Sequence, residues 1–95
     1  MDNILSLLGL AYRAKKMYLG EANLENIKKI YYLFIAKDAS DKTKERYLKK
    51  CSYYNIPYNM NYSYEQLSQA IGKRNVKIIG INDKGFGSSI LKKLK

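Results

Sequence analysis

The chain has 95 residues, enough for one domain, and 46% of them are hydrophobic, which excludes a disordered basic tail and predicts a buried core. Eighteen Lys and Arg against eight Asp and Glu leave a formal charge of +10, a field that draws polyanions to the surface. With no His and a single Cys there is no default general base near neutrality and no zinc ligand set. Binding a polyanion is therefore the leading expectation, and an enzyme, a metal site or a cofactor is not expected.

Cys51 has no partner for an internal disulfide and suits a reducing compartment. The start Met1-Asp2-Asn3 lacks the basic residues of a signal peptide, and no run approaches the about 20 apolar residues that span a bilayer. These features predict a soluble cytoplasmic protein, without membrane contact and monomeric. The charge is skewed, with a net of +2 over residues 1–36 and +8 over residues 37–95.

In chain order, Asn3 is a suitable cap for a first helix, with apolar residues at 4, 5, 7, 8, 11 and 12 and an end near Lys16. Met17-Tyr18-Leu19 is a short extended segment closed by Gly20. A second helix follows, with Glu21 in its first turn and Leu24 and Ile27 facing inward. Tyr31 to Ala36 has the length and composition of a strand buried on both faces. Ser40 caps a third helix whose apolar stripe is Tyr47, Leu48, Cys51 and Tyr54, and Tyr58-Asn59-Met60 is a short strand. Ser63 and Gln66 have the spacing of a capping box, with Tyr62 and Leu67 as the staple and Gly72 as the stop. Val76 to Ile81 reads as another buried strand. Asp83 caps a last helix with Phe86, Ile90, Leu91 and Leu94 on one face. This alternation predicts an α/β fold, a three-layer α/β/α sandwich with a small mixed sheet, in a single domain over residues 1–95.

Two places rise above packing. At the start of the second helix, Gly20-Glu21-Ala22-Asn23 would present N–H groups and the positive end of the dipole to an anion. Asn23 and Asn26 carry amides able to read a base edge. The plainer reading makes Gly20 a turn residue and Glu21 a dipole partner. The second place is Ile71-Gly72-Lys73-Arg74-Asn75, where Gly72 permits close approach and Lys73 and Arg74 could meet phosphates. A glycine stop followed by cations that complement the dipole explains the same residues. Of the ten tyrosines, Tyr12 and Tyr18 fall nearest these segments, and Tyr31, Tyr32, Tyr47 and Tyr54 belong to the core.

Four segments in order, Leu8-Gly9-Leu10-Ala11-Tyr12-Arg13-Ala14-Lys15-Lys16, Gly20-Glu21, Ala36-Lys37-Asp38-Ala39-Ser40 and Leu67-Ser68-Gln69-Ala70-Ile71-Gly72-Lys73, give the chain a family likeness along its whole length. It resembles the YlxQ-type bacterial branch of the ribosomal protein superfamily typified by the archaeal L-seven-Ae and L-thirty-e proteins. The resemblance implies the α/β/α sandwich and binding of structured RNA, ribosomal RNA among the candidates, typically at kink-turns. It implies that Gly20 to Asn26 enters the groove at the sheared G·A pairs and that Ile71 to Asn75 covers the flipped-out bulge. Lys16, Lys28, Lys73 and Arg74 would then contact phosphates, and Asn23 and Asn26 would read bases. Where kink-turn binders carry Gly-x-Asn-Glu or Gly-x-Lys-Gln and then Lys one turn on, this chain has Gly20-Glu21-Ala22-Asn23 and then Asn26. Ala22 offers no base-edge hydrogen bond and Asn26 no charge. Losing two contacts of ~1–3 kcal/mol each predicts at least a hundredfold weaker specific recognition. The alternative is a module that docks on ribosomal or other proteins, which would show an apolar stripe and no concave patch around Gly20 and Gly72.

Overall fold

The computed structural model describes residues 2–94. In chain order it has α1 (Asn3–Arg13), β1 (Met17–Leu19), α2 (Ala22–Glu25), a 3-10 turn (Ile27–Lys29) and β2 (Tyr32–Ile35). Then follow α3 (Asp41–Tyr54), β3 (Tyr58–Asn59), α4 (Tyr64–Ile71), β4 (Ile78–Ile81) and α5 (Lys84–Lys93). The strands lie in the order β1-β4-β2-β3, with β4 antiparallel to both neighbours and β3 parallel to β2.

The period of two along β2 and β4 divides the core. Tyr32, Phe34, Ile79 and Ile81 pack under α1, α4 and α5, whereas Leu33, Ile35 and Ile78 pack under α3 and the 3-10 turn. The result is the expected three-layer sandwich with a mixed sheet. Each fully buried side chain of the Leu8, Leu33 and Phe34 kind contributes about 1.5–3 kcal/mol of transfer free energy. Cys51 lies in the second layer, where burial pushes its thiol up to about 11.

Local signals set most helix starts. Ser40 accepts from the Thr43 N–H, Asp83 from the Phe86 N–H, and Ser63 and Gln66 form both halves of the capping box. The first helix departs from expectation. Asp2 rather than Asn3 is its cap, accepting from the Leu5 N–H at 2.9 Å, while its other oxygen accepts from the Tyr62 hydroxyl at 2.9 Å. Burial, and then this hydrogen bond to Asp2, push the Tyr62 hydroxyl up to about 12. The helix ends at Arg13, short of Lys16. Lys15 takes φ 59°, and the N–H groups of Lys15 and Lys16 close on the carbonyls of Tyr12 and Ala11.

The second helix is only four residues long. Asn26 leaves helical geometry at φ −118°, and its amide donates to the Ala22 carbonyl at 2.8 Å, sealing the end of α2. Tyr31 is not a core strand residue. It precedes β2 and is 47% exposed. Leu91 and Leu94 of the last helix are exposed as well, leaving Ile90 as the residue α5 buries completely. Among the described residues no helix is long and apolar enough to cross a membrane.

Candidate nucleic-acid interface

Gly20, at φ +56°, turns the chain from β1 into α2 in a conformation glycine adopts without strain. Its carbonyl is the hub of the turn. It accepts from the Asn23 N–H at 3.1 Å, from the Asn23 amide at 3.0 Å and from the Tyr47 hydroxyl at 3.1 Å. Burial, and then the charge of Glu21, raise the Tyr47 hydroxyl above its ordinary value, with Arg46 opposing, so it stays a proton donor. Tyr47 thus belongs to the site's frame. Its place on an apolar stripe gave no sign of that, because only the fold brings α3 to Gly20.

Asn23 is the largest correction to the sequence reading. Its side chain is 0% exposed, and its amide also donates to the Tyr18 carbonyl at 3.1 Å. Its oxygen is buried against β4, where a Cβ on Gly80 would lie 1.8 Å from it. Asn23 therefore cannot read a base edge in this conformation, because its donor closes the turn and its oxygen fills the space Gly80 leaves. Gly80 was the available sequence signal, a glycine interrupting a run of β-branched residues in a central strand. The Asn26 donor is likewise spent on its own helix.

The second segment is held differently. α4 ends in a Schellman motif, with the Gly72 N–H on the Gln69 carbonyl and the Lys73 N–H on the Ser68 carbonyl. The Ser68 hydroxyl then accepts from the Val76 N–H at 2.9 Å, so a single buried serine fixes both ends of the loop. Gly72, Lys73, Arg74 and Asn75 are left exposed, and Lys73 stands 5.9 Å from the centre of the Tyr12 ring. Ile71 does not join them. It is buried in the core, which is what ends the helix and aims the loop outward.

The two segments meet. Gly20 and Glu21 line one side of a cleft of about 480 Å³, and Lys73, Arg74 and Asn75 line the other, with Thr43 and Tyr47 beside them. Lys77 adds a third cation. The acidic residue Glu21 is paired with Arg46 through two contacts of 3.2 Å. Both groups are more than half exposed, so this ion pair adds little stability, but it offsets the negative charge at the rim. Lys28 lies elsewhere, in a hollow beside Tyr54. Lys16 is exposed just before β1, outside the cleft lining. Among the described residues, no group of three His, Cys, Asp or Glu could hold a metal ion.

No protein-family model matches the chain, but individual relatives do. It is 41% identical to the RNA-binding protein YlxQ of Enterococcus faecium over 86% of this chain and 82% of that one. It is 34% identical to the RNA-binding protein YlxQ of Bacillus subtilis strain 168 over 90% of this chain and 88% of that one. Among solved structures, a Bacillus halodurans protein of unknown function superposes with TM-score 0.88 at 33% identity, covering 97% of this chain and 96% of the other. The Giardia lamblia 15.5kD RNA binding protein superposes with TM-score 0.79 at 20% identity, over 95% and 82% of the two chains, a likeness of fold. From the identity and coverage of the two bacterial relatives, the chain belongs to the YlxQ family.

Proposed function

We propose that the protein is a non-enzymatic RNA-binding protein that grips structured RNA in the cleft between the Gly20–Glu21 turn and the Lys73–Asn75 loop. The observation that carries this reading is the convergence of two segments, about fifty residues apart in sequence, on one concave and net positive surface. That both bacterial relatives are RNA-binding proteins by name supports it. Lys73, Arg74 and Lys77, which line that surface, supply phosphate contacts. The buried Asn23 side chain and the self-bonded Asn26 leave Asn75 as the amide side chain in the cleft lining, so recognition rests mainly on backbone shape and charge.

A kink-turn is the RNA element whose widened groove and extruded bulge suit a turn on one wall and a loop on the other. Ala22 and the occupied asparagines predict weak discrimination of its G·A pairs. The protein-docking alternative required a surface with no concave patch at Gly20 and Gly72, and the cleft at that position speaks against it. Fluorescence titration against a kink-turn RNA, and against the same RNA with its G·A pairs replaced, tests the reading at two salt concentrations. Salt-dependent binding to both, with less than about a tenfold preference for the intact kink-turn, is expected. No binding to either RNA would refute the reading.

A further inference from the structure

The outer face of α3 carries charge and aromatic surface that the cleft does not use. Lys42, Arg46, Lys49, Lys50 and Tyr53 recur at helical spacing and line one open groove, with Glu45 the only acid among them. Tyr53 is 79% exposed, and its ring meets Tyr54 edge-on with 4.8 Å between centroids. Tyr54 also borders the hollow that holds Lys28 and Lys29, so the basic surface continues from α3 onto the 3-10 turn. A large aromatic left in water, held by a second ring and surrounded by cations, is poorly explained by packing. It has the make-up of a platform on which a base stacks while lysines meet the flanking phosphates.

The groove adjoins the cleft across the Arg46–Glu21 ion pair. Thr43 of the same helix lines the cleft, and Arg46 reaches from the groove to Glu21 at its rim. From Arg46 to Tyr53 is seven residues, roughly 10 Å along a helix, enough to follow a short stretch of strand. We propose that this face is a second RNA contact, taking an unpaired strand that leaves the structured element in the cleft and stacking one of its bases on Tyr53. The proposal rests on the RNA-binding reading and extends it. The charge, four cations to one carboxylate in the groove, with Arg46 among the four paired to Glu21, favours a polyanion over a protein partner.

The test uses the full chain and two RNAs, a blunt kink-turn hairpin and the same hairpin with a six-nucleotide oligouridine flank. Wild type should bind the flanked RNA about tenfold more tightly. Tyr53→Ala should abolish that gain while leaving the blunt hairpin's affinity unchanged, and Tyr53→Phe should keep most of it. Lys73→Ala with Arg74→Ala should weaken both RNAs and preserve the gain. A flank that confers no gain, or a gain that survives Tyr53→Ala, overturns the inference and leaves the α3 face to a protein partner, with the cleft reading intact. Failure of wild type to bind either hairpin overturns both readings together.

Discussion

Asn23 and Asn26, on one wall of the cleft, turn their amides inward to hold the backbone, whereas on the other wall the backbone is held from behind by Ser68 and the side chains of Lys73, Arg74 and Asn75 stand free. Both segments are short, polar and glycine-marked, and in sequence they make equal claims as recognition elements. What separates them is where the hydrogen-bond partners lie. The turn after β1 needs its backbone tied down, and the Asn23 amide does so by donating to both the Gly20 and the Tyr18 carbonyls. In the other loop Ser68 meets that need, so the cations have no structural task. The first wall is tied up in its own fold, and the second leaves its side chains exposed.

The largest effect is expected from Gly80→Ala, which drives a methyl group to 1.8 Å from the Asn23 oxygen and 2.7 Å from Ile30 Cδ1. Urea unfolding should show a loss of about 2–3 kcal/mol. Asn23→Ala, which removes both amide hydrogen bonds that close the turn, should cost about 1–3 kcal/mol. Combined, the two changes should cost at least about 1 kcal/mol less than their sum. Full additivity would mean that Asn23 and Gly80 are not the lock described. Ser68→Ala should cost about 2 kcal/mol by stranding the Val76 N–H, and should weaken RNA binding although Ser68 touches no RNA. Unchanged affinity in that variant would mean the loop needs no anchor.

Lys73→Ala with Arg74→Ala should do the reverse of Asn23→Ala. Stability should stay within about 0.5 kcal/mol, while RNA affinity falls about tenfold and the salt slope drops by about 1–2. A drop in stability with no change in affinity would exchange the roles of the two walls. The smallest effect is a gain. Lys15 sits at φ 59°, where a side chain is strained by about 1–2 kcal/mol. Glycine relieves that strain but has more chain entropy to lose, about 0.5–1 kcal/mol, so Lys15→Gly should raise stability by about 0.5 kcal/mol in thermal unfolding.

The same contrast explains what the sequence could reveal. The capping box at Ser63, the caps at Ser40 and Asp83, the stop at Gly72 and the all-buried strands around Phe34 and Ile79 are local patterns, and each appears where expected. With those elements the layer order follows, and so does the fold. Burial of Asn23 depends on Gly80, 57 residues later, and the Tyr47 hydroxyl reaches Gly20 only after α3 has docked. Long-range pairings of this kind leave no periodic trace. α2 ends where the Asn26 side chain and backbone N–H both fold onto the Ala22 carbonyl, a local feature of the kind an asparagine signals. Ile71 and Lys28 lie apart from the cleft for a simpler reason, since neighbours in sequence on a helix end or a 3-10 turn need not share a face.

The most direct measurement is a titration of isotope-labelled protein with kink-turn RNA, followed by backbone amide shifts. The strongest changes are expected at Gly20, Glu21 and Gly72 to Asn75, with α5, which lines no part of the cleft, silent. Changes centred on α5, or spread evenly over the surface, would contradict it.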